Sequence, residues 1–193
     1  VIADSAPGMG LLWGSLPCTG GTTWWDVNIH KPNGPQQLDR HIATFDKLLD
    51  SWNVVATAAF KKGWTIAFEW PAGCQLWNNK RLVDINAKFG LKPFEFDGCQ
   101  LGLCSYRHRP IRKPWRIDTD CVSIINEFEP YQCNHKPWEH DPCAGKETKR
   151  TENYTWPMTD AIHRAFKLHC IDQYNNHKLC SLSAPNANHY NSY

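Results

Sequence analysis

The sequence predicts an α/β fold, and three stretches carry that expectation. An apolar run from Gly10 to Ser15 stops at Leu16-Pro17-Cys18-Thr19 and turns through Gly20 and Gly21. That is the profile of a buried strand delivering its next residues to the edge of a sheet, where α/β proteins keep their chemistry. From Gln36 to Phe60, apolar residues recur three or four apart at Leu38, Ile42, Phe45, Leu49, Trp52, Ala56 and Phe60, as on one face of a helix. A β-branched and aromatic run, Trp64 to Phe68, comes next. Strand, long helix and strand in that order suit a parallel pair with a crossover helix.

Punctuation supports each boundary. Pro35 stands where the long helix begins and Gly63 just past its end. The second strand finishes at Glu69-Trp70-Pro71, again a polar residue beside proline. A shorter helix is expected from Lys80 to Phe89, with Leu82, Val83, Ile85 and Phe89 available for burial and Gly90 as its stop. A strand from Pro93 to Phe96 leads into Asp97-Gly98-Cys99-Gln100, and another is expected near Pro114 to Asp118. The polar loop between them suits an antiparallel pair. The order is strand, helix, strand, helix, strand, strand. A helix near Cys121 to Phe128 precedes an irregular stretch, Pro130 to Thr155, rich in Pro, Cys, His and charge. Helical spacing returns from Trp156 to Cys170, and the Asn- and Ser-rich tail from Ser181 reads as poorly ordered. The expected organisation is an α/β core over 1–128, a Cys/His-rich loop and terminal helix packed on it over 129–180, and a flexible tail over 181–193.

At 193 residues the chain is long enough for one domain with a real core. Its apolar runs are far shorter than a membrane span, which predicts a soluble protein with no membrane partner. The first residue is Val and no secretory leader is visible, so a piece of a longer polypeptide is expected. Nine cysteines are an odd number in a chain larger than most disulfide scaffolds, which favours a reducing, intracellular compartment, nucleus or cytoplasm. The net charge of +2 is too small to announce nucleic-acid binding. Its distribution says more. Arg107, His108, Arg109, Arg112, Lys113 and Arg116 are interleaved with Tyr106 and Trp115, a strip suited to phosphate contacts and stacking, or else a solvated loop.

Cys18 and Glu69 belong to the ends of the two strands expected to run parallel, so both side chains should reach the same edge. A thiolate there attacks an electrophilic carbon while a carboxyl group hydrogen-bonds the ring or carbonyl under attack. Arg116 and Lys113 would favour the thiolate and bind phosphate. Together these residues resemble the DNA (cytosine-5) methyltransferases, particularly the phage and mobile-element type. Gly10 to Cys18 is similar to that family's strand and Pro-Cys loop, Phe68-Glu69-Trp70 to its Glu-Asn-Val motif, and Arg112-Lys113-Pro114-Trp115-Arg116 to its arginine-bearing strand. The resemblance covers roughly 10–120 and implies the second half of a Rossmann-like methyltransferase sheet. It implies Cys18 as the nucleophile adding to C6 of a flipped cytosine, Glu69 at N3, and Arg116 steadying the base. Arg107, Arg109, Arg112, Lys113 and Gln100 would then contact DNA. The family pattern also departs here: Leu-Pro-Cys-Thr stands for Pro-Pro-Cys-Gln, and Trp-Pro follows the acid. The glycine-rich S-adenosylmethionine loop that the family places ahead of the Pro-Cys turn has no counterpart in Ala6-Pro7-Gly8-Met9-Gly10, so an upstream segment or partner chain is expected to supply that cofactor site.

A second constellation is Cys133, His135, His140 and Cys143. Two Cys and two His at this spacing suit a tetrahedral, structural zinc, with loop packing or a disulfide as the alternatives. Two further readings of the chain stand beside the methyltransferase-like one. It is a non-enzymatic nucleic-acid or protein interaction module stabilised by its Cys and His residues, or a hydrolase or transferase pairing Cys18 with His30 or His41.

Overall fold

The computed structural model describes residues 10–22 and 25–183, with side chains to residue 176. It holds a four-stranded mixed sheet: β1 (Leu11–Gly14), β2 (Thr65–Pro71), β3 (Lys92–Asp97) and β4 (Pro114–Thr119), in the order β1-β2-β4-β3. β1 and β2 are parallel, with Leu11 opposite Thr65 and Gly14 opposite Phe68. β4 runs antiparallel to both β2 and β3, placing Ile117 between Glu69 and Phe94. The two relationships expected from the connections, a parallel pair across a helix and an antiparallel pair across a polar loop, are both present. What no local pattern announces is that β4 inserts between β2 and β3.

Among the described residues six α-helices accompany the sheet: α1 (Trp25–Asn28), α2 (Gly34–Lys61), α3 (Lys80–Lys88), α4 (Val122–Phe128), α5 (Lys146–Arg150) and α6 (Trp156–Ser183). Asn33 caps α2 from the left-handed region at φ 61°, with Pro35 in the first turn, and Gly63 takes φ 73° just past the end. The buried stripe of α2 is Phe45, Leu49, Trp52, Ala56 and Ala59. The last step is three residues rather than four, so Phe60 does not join the stripe; it is half-exposed and rests against the Phe89 ring, 5.3 Å between centres. Asn79 caps α3 by accepting from the Arg81 and Leu82 amides. α6 continues well beyond Cys170, to Ser183; the residues expected to be a flexible tail lie largely outside the described residues.

β2 sorts the core because its side chains alternate between faces. Ile66, Phe68 and Trp70 point to one side, where they pack with α2, α3 and the turn Gln75–Asn78. Phe68, Trp70 and Trp77 meet there edge to face, with centres 4.7 to 5.8 Å apart. Ala67 points to the other side and packs with Phe96, Trp115, Ile117, α4 and α6. Glu69 shares Ala67's face, so a carboxylate occupies a core-facing position of a central strand. A buried carboxylate is costly unless hydrogen-bonded or protonated, which marks Glu69 for attention.

Candidate functional site

Where β1 and β2 end side by side, the Pro-Cys loop folds over the sheet. Cys18 starts a short turn, Thr19–Gly21, and the Gly21 amide donates to the Cys18 carbonyl at 2.9 Å. The loop is pinned from below by the Trp70 indole, which donates to the Leu16 carbonyl at 2.5 Å. Gly21 is packed so tightly that a Cβ there would lie 2.9 Å from the Leu76 amide nitrogen. Cys18 and Glu69 line one cleft of about 320 Å³, together with Ser15, Lys113, Trp115, Glu152 and Tyr154. That volume is at the small end of ligand sites and suits a single heterocycle.

Glu69 is almost wholly buried and accepts two hydrogen bonds on Oε2, from Tyr154 at 2.5 Å and Ser15 at 3.0 Å. The Trp13 indole in turn donates to the Tyr154 hydroxyl at 2.9 Å. Oε1 takes no protein donor among the described residues. Burial pushes the Glu69 carboxyl above its ordinary range, and the Tyr154 and Ser15 hydroxyls and the Lys113 charge only partly offset it. Tyr154 is itself pushed up, first by burial and then by the neighbouring carboxylate, so it stays a donor. Burial also raises the Cys18 thiol, while Lys113 pulls it back towards the thiolate. Cys74, behind the loop, is driven by burial to about 12 and is inert.

The basic strip is taken apart by the fold. Lys113 alone reaches the cleft, where its ammonium donates to the Thr151 carbonyl at 2.5 Å and sits 5.2 Å from the Trp115 ring centre. Arg116 does not reach it. Alternation along β4 turns Arg116 to the opposite face from Glu69, where its guanidinium holds Asp118 at 2.7 and 3.0 Å and lies 4.3 Å over the Trp77 ring. Asn86 completes that buried group by donating to Asp118 at 2.8 Å. Arg112 pairs with Asp97 at 3.1 Å, and Arg109 pairs with Asp141 and donates to the Trp138 carbonyl. Arg107 is exposed, and Gln100 donates to Asn134 at 3.1 Å, away from the cleft. Neither His30 nor His41 lines the cleft; the His41 ring packs against Trp25.

Tyr154 and Ser15 complete the site, and neither was among the residues that the sequence singled out for it. Ser15 carries a signal, since it directly follows the first strand. Tyr154 carries none, because it lies in an irregular segment whose path only packing decides.

The Cys/His constellation is real but differs in membership. Cys99, Cys133, His135 and His140 present ligand atoms all within 4.8 Å of one another. Cys143 is not in the group; its thiol meets the Thr151 hydroxyl at 3.2 Å. The reason is topological. The segment after α4 crosses the end of β3, setting Cys133 against the turn Gly98–Leu101 that carries Cys99.

The groove beside β1 does not have the lining that S-adenosylmethionine needs. The groove of about 570 Å³ beside β1 is lined by Gly10, Leu11, Trp13, Trp64, His163 and Phe166 among others. It offers no carboxylate for ribose hydroxyls and no glycine loop at a helix N-terminus. Among the described residues no helix is long and apolar enough to cross a membrane. No family model matches the chain, and neither a curated protein nor a solved structure matches it.

Proposed function

We propose that this domain binds a pyrimidine base in the cleft between the Pro-Cys loop and Tyr154, as a cytosine-5 methyltransferase-like domain that handles nucleic acid. One observation carries the reading: a half-buried thiol and a buried carboxyl group line the same base-sized cleft at the ends of two parallel strands. Burial shifts the carboxyl group towards its protonated form, and Oε1 takes no donor among the described residues.

The chemistry that these residues support is addition to a cytosine ring. The Cys18 thiol gives its proton to solvent, and the resulting thiolate, with the Lys113 charge beside it, bonds through sulfur to C6. The C5=C6 electron pair shifts to C4=C5, the C4=N3 pair moves to N3, and N3 takes the Glu69 proton. Tyr154 and Ser15 then stabilise the carboxylate that remains. Addition is as far as these side chains carry the chemistry, because the groove beside β1 lacks the carboxylate and glycine loop of a methyl-donor site. Exposed aromatic rings under cations, Trp138 with Lys136 and Tyr106 with Arg150, supply stacking and phosphate contacts outside the cleft.

A single-stranded oligonucleotide containing 5-azacytosine tests the reading. Its ring nitrogen at position 5 makes C6 more electrophilic, so addition needs no methyl donor. A covalent adduct mapped to the Cys18 peptide is expected, absent in Cys18→Ala and at least tenfold slower in Glu69→Gln, given the usual worth of a positioned acid. Binding without any adduct would leave the interaction module as the better reading, a second possibility favoured by the exposed aromatic and cation pairs.

A further inference from the structure

We propose that Cys99, Cys133, His135 and His140 hold one structural zinc ion, and that the ion ties the start of the segment after α4 to the turn that follows β3. The four ligand atoms lie within 4.8 Å of one another, and two of the separations are close to those of a coordination shell. Cys133 Sγ lies 3.6 Å from His135 Nδ1 and 3.3 Å from His140 Nε2. Zinc bonds of about 2.3 Å to sulfur and 2.0–2.1 Å to nitrogen, at the tetrahedral angle, put sulfur and nitrogen about 3.6 Å apart. The two imidazole rings are nearly perpendicular, at 86° with centres 5.3 Å apart, so they approach a common point from different directions.

The backbone around the four ligands is fixed by other bonds. The turn Pro137–Glu139, closed by the Lys136 amide donating to Glu139 at 2.5 Å, brings His140 back beside His135. The Asp97 carboxylate accepts the Cys133 amide at 2.9 Å and Arg112 at 3.1 Å, and Gln132 donates to the Glu95 carbonyl at 2.8 Å. Such outer partners hold first ligands in place before a metal arrives. Two thiolates and two imidazoles in a tetrahedral set select zinc over oxygen-seeking cations, and four protein ligands leave no position for substrate. Binding releases the two thiol protons and leaves a neutral centre.

The ion's place in the fold gives it its role. From Cys133 the chain runs through Thr151, which accepts Lys113, to Tyr154, which donates to Glu69. Much of this stretch is irregular, and its hydrogen bonds to the sheet are few. A metal tying its start to the turn after β3 adds a fastening to those that Asp141 makes with Pro110, Ser105 and Arg109 further along.

Native mass spectrometry of the full chain, purified with zinc supplied, reads the metal directly. One zinc per chain is expected, lost in Cys99→Ser and in Cys133→Ser and kept in Cys143→Ser. Cobalt in the unaltered protein gives a second readout that needs no substitution: a thiolate charge-transfer band with intense visible bands of a tetrahedral two-sulfur, two-nitrogen set. A chain that takes up no metal, a disulfide between Cys99 and Cys133 in the zinc-supplied protein, or zinc retained in Cys99→Ser and lost in Cys143→Ser overturns the proposal. None of these readouts depends on the base-binding reading.

Discussion

Glu69 shows how one residue can set the character of a site. Its burial favours the protonated form, so the folded chain keeps a proton that the unfolded chain gives up in the ordinary carboxylate range. The folded state therefore binds more protons over that window, and stability is full below it and falls as pH rises through the elevated Glu69 pKa. Glu69→Gln removes the titrating group. Denaturant midpoints measured across this window should fall less with pH in the variant than in wild type, and the variant should be no less stable at neutral pH. Identical slopes in both proteins would mean that the carboxyl group holds no extra proton. The importance of Glu69 was legible from its place before Trp-Pro at a strand end, and Ser15 from its place after β1, whereas Tyr154 was not.

Among the elements, the Pro-Cys loop depends most on close packing. Gly21 has room for no side chain: an added Cβ would come within 2.6 Å of Leu76 Cγ, 2.8 Å of Cys74 Sγ and 2.9 Å of the Leu76 nitrogen. The last contact is backbone, held in the turn Gln75–Asn78 beneath the loop, and it cannot rotate away. Gly21→Ala should cost about 1–3 kcal/mol, the usual penalty for overpacking, and should slow adduct formation by moving Cys18. Thermal unfolding and the 5-azacytosine trap measure the two effects separately. The glycine pair after Cys18 announced a turn in the sequence. That the turn lies against Cys74 and Leu76 follows from the register of β1 on β2.

At the scale of the whole molecule, the sheet keeps two polar systems apart. Glu69 and its donors belong to the face shared with α4 and α6, while Arg116, Asp118 and Asn86 belong to the face under α3. Asp118 is nearly inaccessible and Arg116 only a quarter exposed, so removing the cation strands a buried carboxylate. Arg116→Met is expected to lower stability by about 3 kcal/mol, as when one partner of a buried pair is deleted. Adduct yield per folded molecule should be unchanged, because the guanidinium lies across the sheet from the cleft. Denaturation combined with the trap at a temperature where the variant is folded distinguishes this role from the substrate role that the family resemblance implied.

The sequence by itself determined the four strands and the helices α2, α3, α4 and α6, though not the short α1 and α5, because hydrophobic period, proline and glycine punctuation act over a few residues. The α2 stripe, the parallel pair and the strand-end positions of Cys18 and Glu69 all follow from such local rules. Tertiary structure alone decided which further residues join Cys18 and Glu69 and which stay away. Strand alternation and the insertion of β4 between β2 and β3 turned Arg116 away from the cleft and left Lys113 in it. The path of the segment after α4 exchanged Cys143 for Cys99 and brought Tyr154 to Glu69. These are contacts between distant parts of the chain, and no short-range pattern encodes them.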